Sequence, residues 1–198
     1  MAVKAVVLAA GAGTRMKSNA PKVLQDLAGQ PLLQWVLDVI APINLDETLV
    51  VVGHQAEEVE KLLPDTVVAR LQERQLGTGH ALAAGLAGTE LAGDSILVLP
   101  GDMPLLTGET IRRLLQAHET GGAAATVLTA EIENSDFGRI LRNDAGDLIK
   151  IVEVRDADPA QAAINEVNGG LYVFNGSLLK TALEGLTTEN SQGEYYLT

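Results

Sequence analysis

The chain alternates between short apolar runs and stretches with helical spacing. Val3–Ala9 is a β-branched run that reads as a strand buried on both faces. Pro31–Ile40 has helical spacing, and Thr48–Val52 reads as a second buried strand. Ala56–Leu63 predicts a helix stopped by Pro64, followed by a strand at Val67–Leu71 and a small-residue helix at Thr78–Ala87. Ser95–Leu99 reads as a strand and Glu109–His118 as a helix. Strands alternating with helices predict βαβ units and a mostly parallel sheet. Ligands of such sheets sit beyond the carboxyl ends of the strands. The loops after Ala9, Val52, Leu71 and Leu99 are therefore the places to look for chemistry.

The pattern changes after residue 120. Ala123–Ile132 is a long apolar stretch. Asn143-Asp144-Ala145-Gly146 is a turn between Arg139–Arg142 and Leu148–Val154, which predicts a hairpin. Val167–Phe174 adds a strand and Leu178–Leu186 a helix. The expected fold class is α/β, a mostly parallel mixed sheet flanked by helices with a small antiparallel β extension. There are no internal repeats and no low-complexity linker. The ending Glu194-Tyr195-Tyr196-Leu197-Thr198 carries no turn or polar tail, which suggests a piece of something longer.

A chain of 198 residues suits one domain with a proper core. The net charge of -12 argues against nucleic acid, whose binders show a basic face. It does not argue against a small anion in one pocket, which local charge controls. No apolar run is long enough to span a bilayer, and the first one ends in glycines rather than a signal-peptide cleavage site. The absence of cysteine excludes disulfides and thiolate metal sites. The expectation is a soluble, cytoplasmic protein that binds neither membrane nor nucleic acid. His54, His80 and His118 are scattered and support no metal site. Trp35 reads as core, and Asp156–Asp158 as a solvated loop.

Against this acidic background the first 25 residues hold no Asp or Glu, yet contain Lys4, Arg15, Lys17 and Lys22. Within them lies Leu8-Ala9-Ala10-Gly11-Ala12-Gly13-Thr14-Arg15-Met16, then Pro21-Lys22-Val23-Leu24. Small residues let backbone N–H groups approach phosphate oxygens. Cations at the far end offset charge in phosphoryl or nucleotidyl transfer. A dinucleotide fingerprint would need a third glycine where Met16 stands and an acid closing the second strand, which ends Val51-Val52-Gly53. A Walker A loop would need Gly-Lys-Ser/Thr, not Gly13-Thr14-Arg15. A plain tight turn with surface lysines accounts less well for a loop so long and cation-rich.

These segments resemble the signature of sugar-1-phosphate nucleotidyltransferases. Within that group they are most similar to the uridylyltransferase halves of bifunctional bacterial enzymes that make UDP-N-acetylglucosamine. Gln72-Glu73-Arg74-Gln75-Leu76-Gly77-Thr78-Gly79-His80-Ala81 resembles a second family segment. As residues, Gln72 offers an amide to a uracil edge, and Gly77 and Thr78 bring backbone and hydroxyl close; the stretch also reads as a helix start capped by Thr78. Leu99-Pro100-Gly101-Asp102 ends the fourth strand, where a carboxylate can hold Mg2+ against phosphates or serve an ordinary turn. In the family the aspartate of this Gly-Asp pair binds the metal. Bifunctional members often carry Tyr where Pro100 stands. Phe137-Gly138-Arg139, Val152-Glu153 and Glu166-Val167-Asn168-Gly169-Gly170 resemble the sugar-binding half, although many members have Thr at Gly169.

The resemblance implies a Rossmann-like nucleotidyltransferase domain over 1–198, with a nucleotide half about 1–120 and a sugar half about 121–198. It implies transfer of UMP from UTP to N-acetylglucosamine-1-phosphate, giving UDP-N-acetylglucosamine and pyrophosphate for cell-wall precursor synthesis, with Mg2+ as cofactor. Arg15, Lys22 and Asp102 would be catalytic, with Asp102 holding the metal. Leu8, Ala9, Ala10, Gly11, Gly13, Thr14, Gln72, Gly77, Thr78 and Gly101 would bind the nucleotide. Gly138, Glu153, Asn168, Tyr196 and Thr198 would bind the sugar. In the family a second metal ligand lies beyond the stretch matched here, and an acetylating β-helix follows that forms trimers only in the full-length protein. Competing readings are a relative that uses another nucleotide or sugar, and a nucleotide-sugar-binding module without catalysis.

Overall fold

The strand β1 (Val3–Leu8) is paired in parallel on both sides, with β4 (Glu47–Val52) and with β6 (Ser95–Pro100). The fold is that of a computed structural model describing residues 2–11, 13 and 20–198. β5 (Val68–Leu71) continues the parallel half beyond β4. On the other side β10 (Glu166–Asn175) runs antiparallel to β6, and it also pairs with β7 (Ala125–Glu131) and β8 (Arg139–Arg142). β8 and β9 (Leu148–Val152) form the hairpin expected from Asn143–Gly146. The described residues thus give one mixed sheet in the order β5-β4-β1-β6-β10-β8-β9, with β7 on β10. This is the α/β class read from the sequence.

Both faces of the sheet are covered, which is why its central strands are apolar without alternation. Side chains alternate along a strand. Ala5 and Val7 therefore join one cluster, with Leu33, Val36 and Ile40 of α1 (Leu32–Ile40) and Ile111 and Leu114 of α4 (Gly108–Gly121). Val6 joins the other, with Leu82 of α3 (Thr78–Gly85) and Leu179 of α6 (Gly176–Glu184).

Local chemistry moves several boundaries. The helix α2 (Ala56–Glu60) stops short of Leu63, because the chain tightens into turns with Leu62 N–H on the Val59 carbonyl and Leu63 N–H on that of Glu60. α6 starts earlier than Leu178 because the Asn175 side chain accepts from Ser177 N–H at 3.0 Å. Thr78 is not a helix cap: Gly77 takes that position, without a side-chain bond. A small hairpin, β2 (Asp26–Leu27) with β3 (Gln30–Pro31), forms a separate sheet that the hydrophobic pattern does not predict. Trp35 serves this hairpin rather than the core interior: it is half-buried and donates from Nε1 to the Leu27 carbonyl at 3.0 Å. Asp158 caps α5 (Pro159–Ala162) in a capping box with Gln161, and Asp156 accepts from Ser191 N–H, so the acidic cluster is structural.

α4 is held to β7 partly through His118, which is buried and places Nδ1 2.9 Å from Thr126 Oγ1. Burial holds its pKa below the ordinary value of 6.5. An unfolded chain then binds a proton more readily than the folded one, so stability rises with pH across this group's range. Thermal unfolding should show Tm falling as pH drops from 7 through 6.5 and below, until the folded-state group also protonates. His118→Gln should flatten that slope; an unchanged slope would remove His118 as its cause.

Candidate active site

The strand ends of the parallel half are tied to one another. Ala9 N–H donates to the Val51 carbonyl at 2.9 Å, Gly101 N–H to that of Leu8 at 2.9 Å, and Gln72 N–H to that of Val52 at 2.8 Å. The loops following β1, β4, β5 and β6 therefore meet at one edge of the sheet. Gly13 is in the left-handed region (φ +63°), and a Cβ there would stand 2.5 Å from Lys22 Cβ. Small size thus lets the glycine loop lie against the segment that carries Lys22. That segment is anchored by Val23, which is buried in the core. Lys22 Nζ forms an ion pair with Asp102 Oδ2, at the end of β6. Thr14 and Arg15 lie outside the described residues.

Gln72 is buried after β5 and donates from Nε2 to the Gly77 carbonyl at 3.2 Å. The same nitrogen is 2.8 Å from His80 Nδ1. Gly77 adopts φ +112°, and a Cβ on it would lie 2.5 Å from the Tyr195 carbonyl. The reason is the terminal segment, which folds back over this loop. Tyr195 N–H donates to the Leu76 carbonyl and Gly79 N–H to the Tyr195 carbonyl, both at 2.8 Å. The Thr78 hydroxyl accepts from Leu197 N–H at 3.1 Å.

The other half of the site comes from β9 and β10. A register shift between Asn168 and Tyr172 kinks β10 across Gly169-Gly170. Such a bulge re-aims side chains. Here it sets Asn168 Nδ2 to donate to Tyr172 Oη at 2.6 Å, while Asn168 Oδ1 accepts from Gly170 N–H at 3.0 Å. Burial, reinforced by the charge of Glu153, pushes the Tyr172 phenol up to about 12, against the lowering effect of the Asn168 bond. The tyrosine therefore keeps its proton through the neutral range. Glu153, just past β9, accepts at Oε1 from Thr198 Oγ1 at 3.1 Å. Tyr196 Oη accepts from Gln192 Nε2 at 2.6 Å.

A single cavity of about 660 Å3 joins these parts, within the range of roughly 300–1,000 Å3 common for ligand sites. Leu8, Ala9, Ala10, Gly11, Gly13, Lys22, Gln72, Gly77, Thr78 and Asp102 line it from one half, and Glu153, Asn168, Tyr196 and Thr198 from the other. Two expected residues stand behind it. Gly101 has its N–H committed to Leu8, and Gly138 is buried where a Cβ would meet Glu153 Oε1 at 3.1 Å. The wall also includes Gln75, Pro100, Tyr172, Gln192 and Glu194, which the sequence reading missed. Only the Gly169-Gly170 pair inside a strand pattern, a bulge signal, pointed toward Tyr172.

Among the described residues no cluster of His, Cys, Asp and Glu forms a closed metal site. Asp102 is a partly exposed carboxylate facing the cavity beside Lys22. That donor set fits a Mg2+ carried mainly by phosphate oxygens and water, for which one or two protein carboxylates suffice.

The chain belongs to the family of the MobA-like NTP transferase domain, whose model matches residues 5–190. Among curated proteins it is similar to the bifunctional protein GlmU of Heliobacterium modesticaldum, 48% identical over 195 residues that make up 98% of this chain and 43% of that protein. GlmU of Alkaliphilus oremlandii is 50% identical over 199 residues, covering 100% of this chain and 43% of the relative. The chain thus spans less than half the length of these relatives. The crystal structure of UDP-glucose pyrophosphorylase complexed with UDP-glucose superposes with a TM-score of 0.78 at 19% identity, covering 100% of this chain and 84% of that one. At that identity the likeness is one of fold. No described helix is long and apolar enough to cross a membrane.

The backbone at Gly77, and its contact with Tyr195, admits only glycine. Gly77→Ala should cost about 1–3 kcal/mol of stability and loosen residues 190–198. Urea denaturation would read the first and amide exchange at Tyr195 the second. Wild-type values in both would mean the loop tolerates a Cβ.

Proposed function

We propose that this domain transfers UMP from UTP to N-acetylglucosamine-1-phosphate, releasing pyrophosphate and giving UDP-N-acetylglucosamine. The observation that carries the reading is the cavity itself, which joins the glycine loop, Gln72 and the Lys22–Asp102 pair to Glu153 and Asn168. The sequence likeness to GlmU proteins over nearly the whole chain supports the choice of substrates.

In this reading the triphosphate lies along the glycine loop, whose bare backbone admits phosphate oxygens. A phosphate oxygen of the sugar phosphate attacks the α-phosphorus in line. The bond from that phosphorus to the bridging oxygen breaks, and pyrophosphate leaves on the opposite side. No side chain needs to become covalently attached. Catalysis is positioning and charge neutralisation. Lys22 Nζ offsets charge on the reacting phosphates, and Arg15 stabilises the leaving pyrophosphate. Asp102 would hold Mg2+, which when bound supplies a further counter-charge to the phosphate oxygens. Asn168 keeps one N–H and one lone pair beyond its bonds to Tyr172 and Gly170, so it can both donate to and accept from an acetamido sugar. Glu153, steadied by Thr198, accepts from sugar hydroxyls.

Pyrophosphate release should be measured with each nucleoside triphosphate paired with each sugar-1-phosphate, with and without Mg2+. Release with UTP and N-acetylglucosamine-1-phosphate above all other pairs is expected. Equal or better release with a different pair would reassign the substrates, and binding without release would make this stretch a binding module. Lys22→Ala should lower turnover by about 10²–10³-fold with the fold intact by circular dichroism. Near-wild-type turnover would end its assignment to the reaction centre.

A further inference from the structure

The Gln72 amide is fixed by two neighbours, and the fixation has a direction. A backbone carbonyl only accepts hydrogen bonds, so the Gln72 atom facing the Gly77 carbonyl at 3.2 Å must be the NH2 nitrogen. That nitrogen also lies 2.8 Å from His80 Nδ1. His80 must therefore accept there, which puts its own proton on Nε2. With both amide hydrogens engaged, Oε1 is the atom that Gln72 has left for a ligand, and Gln72 lines the cavity. No described residue donates to that oxygen.

We infer that His80 is a positioning residue for base selection, acting through Gln72; this rests on the proposed reading of the cavity as a nucleotide site. An outward acceptor suits a pyrimidine whose N3 carries hydrogen, as in uracil. Cytosine presents an unprotonated N3, itself an acceptor, and opposes the Gln72 oxygen at that position. Were the amide free to turn over, its NH2 would face the ligand and cytosine would match. His80 makes the shorter of the two bonds that prevent this. It sits in the first turn of α3, with the Tyr195 ring 6.3 Å from its own, so its place is set by the helix and the terminal segment rather than by the ligand. Site groups built to pair with one hydrogen-bond pattern discriminate strongly against its mismatch.

Two variants test this in the full 198-residue chain, with UTP and CTP binding measured by titration calorimetry and folding by circular dichroism. His80→Phe removes the acceptor, and the ratio of UTP to CTP affinity should fall about tenfold or more, the scale of one lost buried hydrogen bond. His80→Asn restores an acceptor near the Nδ1 position and should recover most of the wild-type ratio. An unchanged ratio in a folded His80→Phe overturns the inference while leaving the nucleotide site standing. Equal weakening of both nucleotides, unrescued by asparagine, also overturns it, since that is what loosened packing alone would do. Should His80→Phe not fold, the asparagine variant decides alone: a wild-type ratio supports the role and a collapsed one overturns it. If the wild-type chain binds UTP no better than CTP, or binds neither, the uridine reading falls and this inference with it.

Discussion

Parallel pairing of β1 with both β4 and β6 governs the rest of the molecule. A strand paired on both edges and covered on both faces leaves no water for its backbone, so every group must be satisfied by the sheet. The ladders do this within the strands, and the cross-bonds Ala9 to Val51 and Gly101 to Leu8 extend it past their ends. Because the strands run the same way, their following loops gather at one edge. Lys22, Gln72 and Asp102 are remote in sequence but share a cavity for that reason.

The second half of the cavity depends on an irregularity. β10 pairs with β7 along both its ends but loses register between Asn168 and Tyr172. An unbroken strand would have spaced these side chains along one face with only ladder contacts. The kink lets the asparagine bond the tyrosine hydroxyl directly, and both line the cavity. Residues 190–198 then close the arrangement, holding the loop after β5 through Leu76, Thr78 and Gly79 and the β9 side through Glu153. One short segment therefore couples the two halves mechanically.

What was legible in the sequence follows from this division. Strand ends and their loops are local properties, so the loops after Ala9, Leu71 and Leu99 could be named from the alternation of apolar runs and helical stretches. Lys22 and Asp102 stood out by charge and neighbours. The partners that a side chain finds across the fold were not legible. Thr78 looks like a helix cap, but its hydroxyl is claimed by Leu197, more than a hundred residues away. Trp35 looks like core, but its indole N–H needs a carbonyl and finds that of Leu27 in an unforeseen hairpin. Gln72 reads as a base contact, yet which end of its amide is tied up is decided by Gly77 and His80, a matter of geometry.

The Lys22–Asp102 pair sits in a different place from the Arg142–Glu166 pair. Arg142 and Glu166 meet through two short bonds, at 2.6 and 2.8 Å, joining β8 to β10, and each holds the other's charged form: the Glu166 carboxyl lies below and the Arg142 guanidinium above its usual range. That is a structural link. Both pairs are about equally open to water, with Lys22 43% and Asp102 24% exposed against 42% for Arg142 and 20% for Glu166, and such pairs contribute on the order of 0–1 kcal/mol; but Lys22 and Asp102 join no two strands of the sheet and line the cavity instead. Stability alone therefore gives little reason to fix a long lysine and a strand-end aspartate at one point on the wall of a cavity. A polyanion that carries its own cation gives one: phosphate oxygens call for the ammonium and the cation calls for the carboxylate. In a chain of net charge -12, an anion needs such a local exception to the protein's overall repulsion.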